Sequence, residues 1–242
     1  MQTGMYVAVS SQMALEKRMN TLADNVANSS TVGFRATEVK FNQVLGDTKP
    51  TKVSFVSEGK EFLNTNNGGL TQTGNQLDFA IKGDAWFQIE TPGGGQALTR
   101  DGRFTMTETG DLVTLRGYPV LDAGGAPIQL NSQASEIKVG ADGSIQQDGT
   151  QVAALGLYEA NFANGFSRHD NSAVIPNSTP EPVVDRFDVG VMQGYVEESN
   201  VNPVQEMSQL IMVSRAFENI SALMRDSETS MSEAIKTLGG SK

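Results

Sequence analysis

The chain has 242 residues, of which 38% are hydrophobic and 19% are charged, and its formal net charge is −10. This length is sufficient for one or two domains with a sizeable core. The acidic balance disfavours a nucleic-acid or anionic-membrane partner, because binding to either depends on clustered Lys and Arg. The chain has no cysteine, which excludes disulfides, thiolate metal sites and cysteine nucleophiles.

The beginning of the chain lacks the pattern of a targeting or membrane segment. No stretch approaches the ~18 continuous apolar residues that are needed to cross a bilayer. Gln12, Glu16, Lys17 and Arg18 interrupt any apolar core of a secretory signal. We therefore expect a protein that is either cytoplasmic or exported by another machinery without a cleaved signal peptide.

Residues 1–30 contain the pattern of an N-terminal amphipathic helix, which we place at 5–28. Most of the charged residues in this stretch lie off the apolar face. The apolar face itself is formed by residues at steps of four, three and four: Leu15, Met19, Leu22 and Val26. This spacing is typical of a helix that packs along another helix.

A turn and a region of weak signals follow this helix. Asn28, Thr31 and Gly33 combine local side-chain hydrogen bonding with access to positive φ, so the helix should end in a defined turn here. Phe34 directly after the turn is expected to act as an anchor. For residues 31–75 we predict an extended linker arm, and the alternative is an ordinary long surface loop.

Residues 76–192 alternate between short strand-like segments and turn signals such as Asp101-Gly102 and Asp148-Gly149. The predicted strands are 77–81, 86–90, 96–99, 103–107, 112–115, 118–121, 128–130, 136–139, 144–146 and 152–158. Such a series predicts a central antiparallel β-domain, either a sandwich or a partly open barrel.

Residues 193–242 contain a second long helix, from residue 202 to residue 238. Asn202 is a candidate N-cap and Pro203 suits the first helical position. Apolar residues recur at alternating steps of three and four: Leu210, Val213, Phe217, Ile220, Met224 and Met231. The predicted fold class is therefore α+β, in which paired, coiled-coil-like N- and C-terminal helices flank the central β-domain.

The candidates for catalysis or metal binding are weak. The single histidine, His169, is best interpreted as part of a solvated turn. Glu197 and Glu198 could be an acid pair for glycan cleavage, but neighbours in a chain point in different directions. The Asp-Gly pairs lack the ligand spacing of a calcium loop. We therefore expect no enzyme activity, no cofactor and no metal site.

The two helices need a partner for their apolar surfaces. They could pair with each other inside one molecule, since a heptad seam specifies a helix contact without saying which chain provides it. Met207, Ile211, Leu223 and Ile235 widen the apolar surface of the last helix beyond one seam, so we expect further neighbours. Repeated head-to-tail contacts of this kind build open helical assemblies.

Three segments of the chain carry recognisable sequence signatures. Residues 23–35, ADNVANSSTVGFR, resemble the N-terminal signature of the flagellar basal-body rod and hook proteins, and residues 194–207, GYVEESNVNPVQEM, resemble their C-terminal signature. Residues 98–104 and 110–114 are similar to the motif of their central β-domain. The opening residues 6–10 resemble the proximal-rod type. The chain is thus identified as a member of this family.

The resemblance implies a structural, non-catalytic subunit of the bacterial flagellar rod that polymerises axially and transmits torque from the membrane ring to the distal rod and hook. It implies contacts with copies of itself and with other rod proteins, export through the flagellar type III apparatus, and a location in the basal body where the rod crosses the periplasm. No nucleic acid and no membrane insertion are expected. Two alternatives are a distal-rod or hook-type subunit and, in another class, a cell-wall-acting enzyme or glycan-binding protein.

The predicted assembly interface combines the two helix seams with the junctions between the helices and the outer domain. The seam residues are Leu15, Met19, Leu22, Val26, Leu210, Val213, Phe217, Ile220, Met224 and Met231. The junction residues are Asn25, Asn28, Thr31, Gly33, Phe34, Glu197, Ser199 and Asn200. Isolated helices are marginally stable, so we expect both ends to be frayed in the free subunit and to become ordered on assembly.

Overall fold

A computed structural model of the chain shows an α+β fold, which confirms the predicted class. Helix α1 (Gln2–Ala27) and helix α2 (Pro203–Gly239) flank a region of short strands. The strand pairs with a defined register are all antiparallel. The structure describes residues 2–46, 53–57, 59–134, 136–184 and 186–240.

The strands between the helices are two to five residues long. In chain order they are β1 (Thr37–Lys40), β2 (Gln43–Gly46), β3 (Val53–Val56), β4 (Lys60–Leu63), β5 (Leu70–Gln72), β6 (Phe79–Lys82), β7 (Trp86–Glu90), β8 (Gln96–Thr99), β9 (Phe104–Met106), β10 (Leu112–Thr114), β11 (Ile137–Val139), β12 (Ser144–Gln147), β13 (Thr150–Ala154), β14 (Leu157–Glu159), β15 (Phe166–His169), β16 (Ala173–Pro176), β17 (Glu181–Pro182), β18 (Gly190–Gln193) and β19 (Tyr195–Glu197).

The chain divides into two compact units. The described residues of the first lie within Met1–Ala27, Thr37–Glu61 and Asn202–Lys242, and those of the second lie within Asn28–Ala36 and Phe62–Val201. The turn after α1 therefore belongs to the second unit. The domain boundaries predicted from the sequence, after residues 30, 75 and 192, stay predictions.

The first unit is built around an antiparallel pair of helices. Gln12 of α1 donates a hydrogen bond to Ser221 of α2, and Arg18 donates one to Gln209, each at 3.3 Å. Strand β3 lies against α1. The cap of α2 is as predicted, because the Asn202 side chain accepts a hydrogen bond from the Gln205 backbone N–H. Helix α2 has 37 residues against 26 in α1, so its last turns extend beyond the paired region.

The second unit contains a six-stranded sheet with the order β15-β16-β8-β7-β14-β17. Side chains alternate between the faces of a strand, so this sheet contributes to two cores. The Phe87 face packs the larger core, which includes Phe87, Ile89, Ala97, Leu157 and Ala173 from the sheet. The Trp86 face packs the smaller one, formed by Leu63, Trp86, Leu98, Tyr158, Phe162 and Val174. Both faces of the sheet are therefore covered.

The β-strand predictions agree with the structure best where hairpin turns flank them. Strands β7 and β8 have the predicted bounds, whereas residues 118–121 and 128–130 form only isolated bridges. The predicted strand 152–158 is wrong, because it is divided into β13 and β14. The division occurs at Gly156, where a Cβ would lie 2.5 Å from the Asp122 carbonyl oxygen. The chain passes between two sheets at this point.

The interpretation of His169 as part of a solvated turn is also wrong. His169 ends strand β15 and pairs in register with Ala173 of β16. Its ring is half-buried and lies 5.4 Å from the Tyr118 ring, measured between centroids. The turn itself begins one residue later at Asp170, which has a φ of 60°. The prediction therefore assigned the last residue of a strand to the turn that follows it.

Candidate functional site

The predicted helix seam lies on the side of each helix that packs inside the first unit. Leu22 and Val213 are buried, and the other eight seam residues are half-buried: Leu15, Met19, Val26, Leu210, Phe217, Ile220, Met224 and Met231. The helices pair antiparallel, so one chain supplies both sides of this contact. The seam is therefore occupied in part within a single molecule.

A second set of apolar side chains on the same helices faces solvent. On α1, Tyr6 and Met13 are 68% and 62% exposed. On α2, the exposed apolar residues are Val204, Met207, Ile211, Met212, Leu223, Ile235 and Leu238. The first unit alone provides no cover for these side chains. We call these nine residues the outer apolar surface.

Asn25 joins the end of α1 to strand β1. Its side chain is buried and donates a hydrogen bond to the Thr37 carbonyl oxygen at 2.9 Å, while its Oδ1 accepts from the Thr37 backbone N–H at 3.0 Å. The amide also donates to Glu206 Oε2 at 3.1 Å in the first turn of α2. Only an amide offers donors and an acceptor in this arrangement. Asn25 thus connects three segments of the first unit.

The second unit contains a buried ion cluster of two arginines and one glutamate. Glu197 is completely buried, and its carboxylate lies 2.6 Å from Arg35 Nη2 and 3.0 Å from Arg100 Nη1. The Gly68 backbone N–H donates to the same carboxylate at 2.8 Å. Asn67 accepts a hydrogen bond from each of the two arginines. These contacts hold together segments that are far apart in the chain.

In the buried cluster two positive charges face one negative charge, and Asp84 acts on both arginines as a further negative charge. Burial lowers the pKa of Arg100 to about 10, and Glu197 and Asp84 offset only part of this effect. Burial likewise lowers the pKa of Arg35. Both guanidinium groups lie near the Trp86 ring, at 5.8 Å for Arg35 and 5.4 Å for Arg100 from the centroid. The electron-rich face of an indole attracts cations, so Trp86 contributes to holding the second positive charge.

The turn after α1 is fixed by the same part of the second unit. Gly33 has a φ of 69°, and its backbone N–H donates to the Glu197 carbonyl oxygen at 2.7 Å. A Cβ at Gly33 would lie 2.2 Å from the Asp101 backbone nitrogen, so no larger residue fits. Phe34 is buried, and Arg168 places its guanidinium carbon 4.3 Å from the Phe34 ring centroid. The predicted anchor role of Phe34 agrees with this packing.

Asn200 connects the turn to the loop after β4. Its Oδ1 accepts from the Ala36 backbone N–H at 2.7 Å, and its Nδ2 donates to the carbonyl oxygens of Asn64 and Asn66 at 3.0 and 2.8 Å. Thr31 and Ser199 make local contacts. Thr31 donates to Asn28 Oδ1 at 3.1 Å, and Ser199 Oγ accepts from the Val201 backbone N–H at 3.3 Å.

The structure therefore brings the predicted junction residues into two groups. Asn25 lies in the first unit, and the other seven lie in the second. Sequence reasoning missed Arg35, Trp86, Arg100 and Arg168, although Arg35 and Arg100 lie inside the quoted signatures. An arginine next to a conspicuous glycine turn is the signal that could have indicated a buried ion pair.

Comparison with known proteins matches three family models to this chain. A flagella basal body rod protein model matches residues 5–35. A flagellar hook protein FlgE/F/G D1 domain model matches residues 80–147, and a flagellar basal body rod FlgEFG protein C-terminal model matches residues 192–237. The matched segments are those that carry the signatures quoted from the sequence.

Relatives that match the chain over almost its whole length include three FlgF proteins. The flagellar basal-body rod protein FlgF of Rhizobium meliloti (strain 1021) is 76% identical over 100% of both chains. The FlgF proteins of Mesorhizobium japonicum and Caulobacter vibrioides are 58% and 34% identical over 99% of each chain. The chain belongs to the flagellar basal-body rod protein family. The resemblance inferred from the sequence is confirmed, including its similarity to the FlgF type.

The buried ion cluster joins all three segments that define the family in this chain. Arg35 lies at the end of the N-terminal match, Arg100 in the D1 match and Glu197 in the C-terminal match. The signatures of the rod protein family thus meet in one network inside the second unit. Inside this unit they hold the segment that follows α1 against β8 and β19.

Among the described residues, no group of three or more His, Asp and Glu residues is placed to hold a metal ion. In the same part of the chain, neither helix is long and apolar enough to span a membrane.

Proposed function

We propose that this rod-family protein polymerises axially through its terminal helices and transmits torque from the membrane ring to the distal rod and hook. The observation that carries the proposal is the outer apolar surface, which remains exposed after α1 and α2 have paired. Fully burying one such side chain contributes about 1.5–3 kcal/mol. Contact with helices of neighbouring subunits would therefore supply a substantial driving force for assembly.

The pairing inside the molecule and the pairing between molecules are compatible. One seam joins α1 to α2, and the outer apolar surface lies on other sides of the same helices. Helices with more than one apolar stripe are suited to bundles in which each helix has several neighbours. A rod made of such bundles resists bending and twisting because every subunit is held by many lateral contacts.

The proposal includes the partners and location that the family resemblance implies. The partners are copies of this chain and other proximal and distal rod proteins, and the flagellar type III apparatus exports the subunit without a cleaved signal peptide. The rod crosses the periplasm within the basal body, and we place this chain in the proximal rod, as a non-catalytic subunit. A distal-rod or hook-type position is the alternative within the family.

The acid pair that suggested a cell-wall enzyme has no suitable geometry. Glu197 is completely buried and ion-paired with two arginines, whereas Glu198 is exposed and accepts a hydrogen bond from Thr71. A pair of carboxylates for glycan cleavage must both reach the substrate. No specific observation therefore favours the enzyme alternative.

The proposal is tested with variants of the outer apolar surface. A triple variant with Met207→Ala, Ile211→Ala and Leu223→Ala should keep its helices, because alanine favours helix and these side chains are exposed. We expect normal circular dichroism and thermal unfolding of the purified protein, together with loss of its incorporation into isolated basal bodies.

The matched control changes exposed polar residues of the same helix, with Ser208→Ala and Glu218→Ala. We expect this variant to enter basal bodies like the wild-type chain. Equal incorporation of the apolar triple variant would reject the helices as the polymerising surface, and it would move that role to the β-rich unit.

A further inference from the structure

A groove of about 670 Å³ opens on the Trp86 face of the second unit. Its apolar part includes Phe62, Leu63 and Phe162, of which the last two belong to the smaller core. Glu159 and Glu181 contribute carboxylates to the same groove. The groove thus combines an apolar floor with an acidic edge.

The two glutamates form an unfavourable pair within the chain. They are direct cross-strand partners at the end of the six-stranded sheet, in β14 and β17. Like charges at opposite positions of an antiparallel pair destabilise it. Arg186 contacts Glu159, but it is shared with Asp188. Among the described residues Glu181 has no ion-pair partner, so one more cation would fit this edge.

A hairpin tip on the other side of the sheet offers matching chemistry. The turn from Thr114 to Gly117 is closed by a 2.9 Å hydrogen bond and uses a φ of 84° at Gly117. It presents Leu115, which is 61% exposed, next to Arg116, whose side chain is 57% exposed. Arg116 pairs with Asp170 through Nε at 2.8 Å, and a guanidinium has further N–H donors for a second carboxylate.

The tip and the groove lie on opposite faces of the sheet. Leu115 and Arg116 line a small cavity together with Ile89 and Ala173, which belong to the core of the Phe87 face. The groove lies on the Trp86 face. A tip on one face cannot enter a groove on the opposite face of the same sheet, whereas it can enter the groove of a second copy. Such a contact is heterologous and head-to-tail, which generates open assemblies.

We propose that the Leu115–Arg116 tip of one subunit docks into the Phe62–Phe162 groove of a neighbouring copy, where Arg116 pairs with Glu181. Leu115 covers the apolar floor, and the arginine neutralises the acidic edge. This inference rests on the proposed function and adds to it a specific contact between the β-rich units of identical subunits.

The test uses cross-linking in assembled basal bodies. The chain has no cysteine of its own, so it can react only at the cysteines that are introduced. Leu115→Cys is placed on the tip and Thr179→Cys in the groove, and a short bis-maleimide is added to isolated basal bodies. We expect cross-linked dimers of this chain. A matched pair with Val152→Cys in place of Leu115→Cys, which also changes an exposed aliphatic residue, should give none.

Charge reversal then tests the ion pair in the same background. Arg116→Glu alone and Glu181→Arg alone should each lower the yield of cross-linked dimer by about tenfold, because each places like charges in contact. The two together should restore the yield. Arg116→Glu combined with Glu136→Arg, which has the same net charge but an exposed site elsewhere, should not restore it.

The outcomes separate this inference from the proposed function. If the double-cysteine chain is present in basal bodies but gives no dimer above the Val152→Cys control, the docking contact is wrong and the function stands. If the wild-type chain itself is absent from purified basal bodies, the proposed function fails. Restoration of the yield by any added positive charge would also overturn the specific pair.

Discussion

Arg35 and Glu197 come from opposite ends of the chain, yet their side chains form an ion pair of 2.6 Å with almost no exposure to solvent. Glu197 is also paired with Arg100, so a single carboxylate is shared by two guanidinium groups. The pair links the turn after the first helix to the strand that leads to the last helix. Its removal should therefore affect the whole second unit.

Glu197→Gln should lower the free energy of unfolding by about 3–5 kcal/mol, because it removes the carboxylate that contacts both buried guanidinium groups. Denaturant unfolding can be followed by the fluorescence of Trp86, the single tryptophan, which lies beside both guanidinium groups. Glu198→Gln is the control, since this neighbour is exposed. Its effect should stay within about 0.5 kcal/mol. Equal effects of the two changes would contradict the role of the cluster.

Arg100→Lys should extend the pH dependence of stability to lower pH than in the wild-type protein. Burial lowers the pKa of Arg100 to about 10, so the wild-type residue stays charged at neutral pH. A lysine has an ordinary pKa of about 10.4, and the same burial would lower it further. The charged lysine then costs stability below its lowered pKa.

The sign of this dependence follows from proton binding. Between the lowered pKa and about pH 10 the unfolded state of the lysine variant binds more protons, so its free energy of unfolding rises with pH. Urea titrations at several pH values from neutral to about pH 10 will measure this, with Arg116→Lys at an exposed site as the control. A pH profile of Arg100→Lys parallel to that of the control would exclude desolvation as the cause.

Asn25→Asp should destabilise the first unit by about 2–3 kcal/mol, since it removes buried donors from Thr37 and sets a carboxylate against Glu206. Helix content measured by circular dichroism during urea unfolding reports the loss. Asn20→Asp makes the same chemical change at an exposed position of α1 and should be close to neutral. Part of the loss should be recovered at low pH, where the introduced carboxyl is protonated.

Gly33→Ala should lower the free energy of unfolding by more than the strain of a positive φ alone would. A left-handed conformation costs a non-glycine residue roughly 1–2 kcal/mol. Gly94 also has positive φ, at 82°, but a Cβ there meets nothing within 4 Å. Gly94→Ala therefore measures the strain alone, while Gly33→Ala adds a clash with the Asp101 backbone. Identical thermal unfolding of the two variants would show that the turn can move away.

The local features of this protein could be predicted from its sequence with few errors. The Asn202 cap, the two helix seams and the hairpins around β7 and β8 depend on residues close together in the chain, and periodicity and turn chemistry describe such features well. The family signatures were also visible at this level. Errors arose where a segment changes partners, as at Gly156, or where strand pairing extends one residue further, as at His169.

The sequence by itself determined which segments become helix, strand and turn, because these choices follow from near neighbours and the spacing of apolar residues. Only the tertiary structure decided that Glu197 is buried between Arg35 and Arg100 beside Trp86. From the sequence alone, each of these charged residues would be expected at the surface. Burying an ion is costly unless a partner from elsewhere in the chain compensates its charge. Long-range pairing supplies that partner, and no local pattern encodes it.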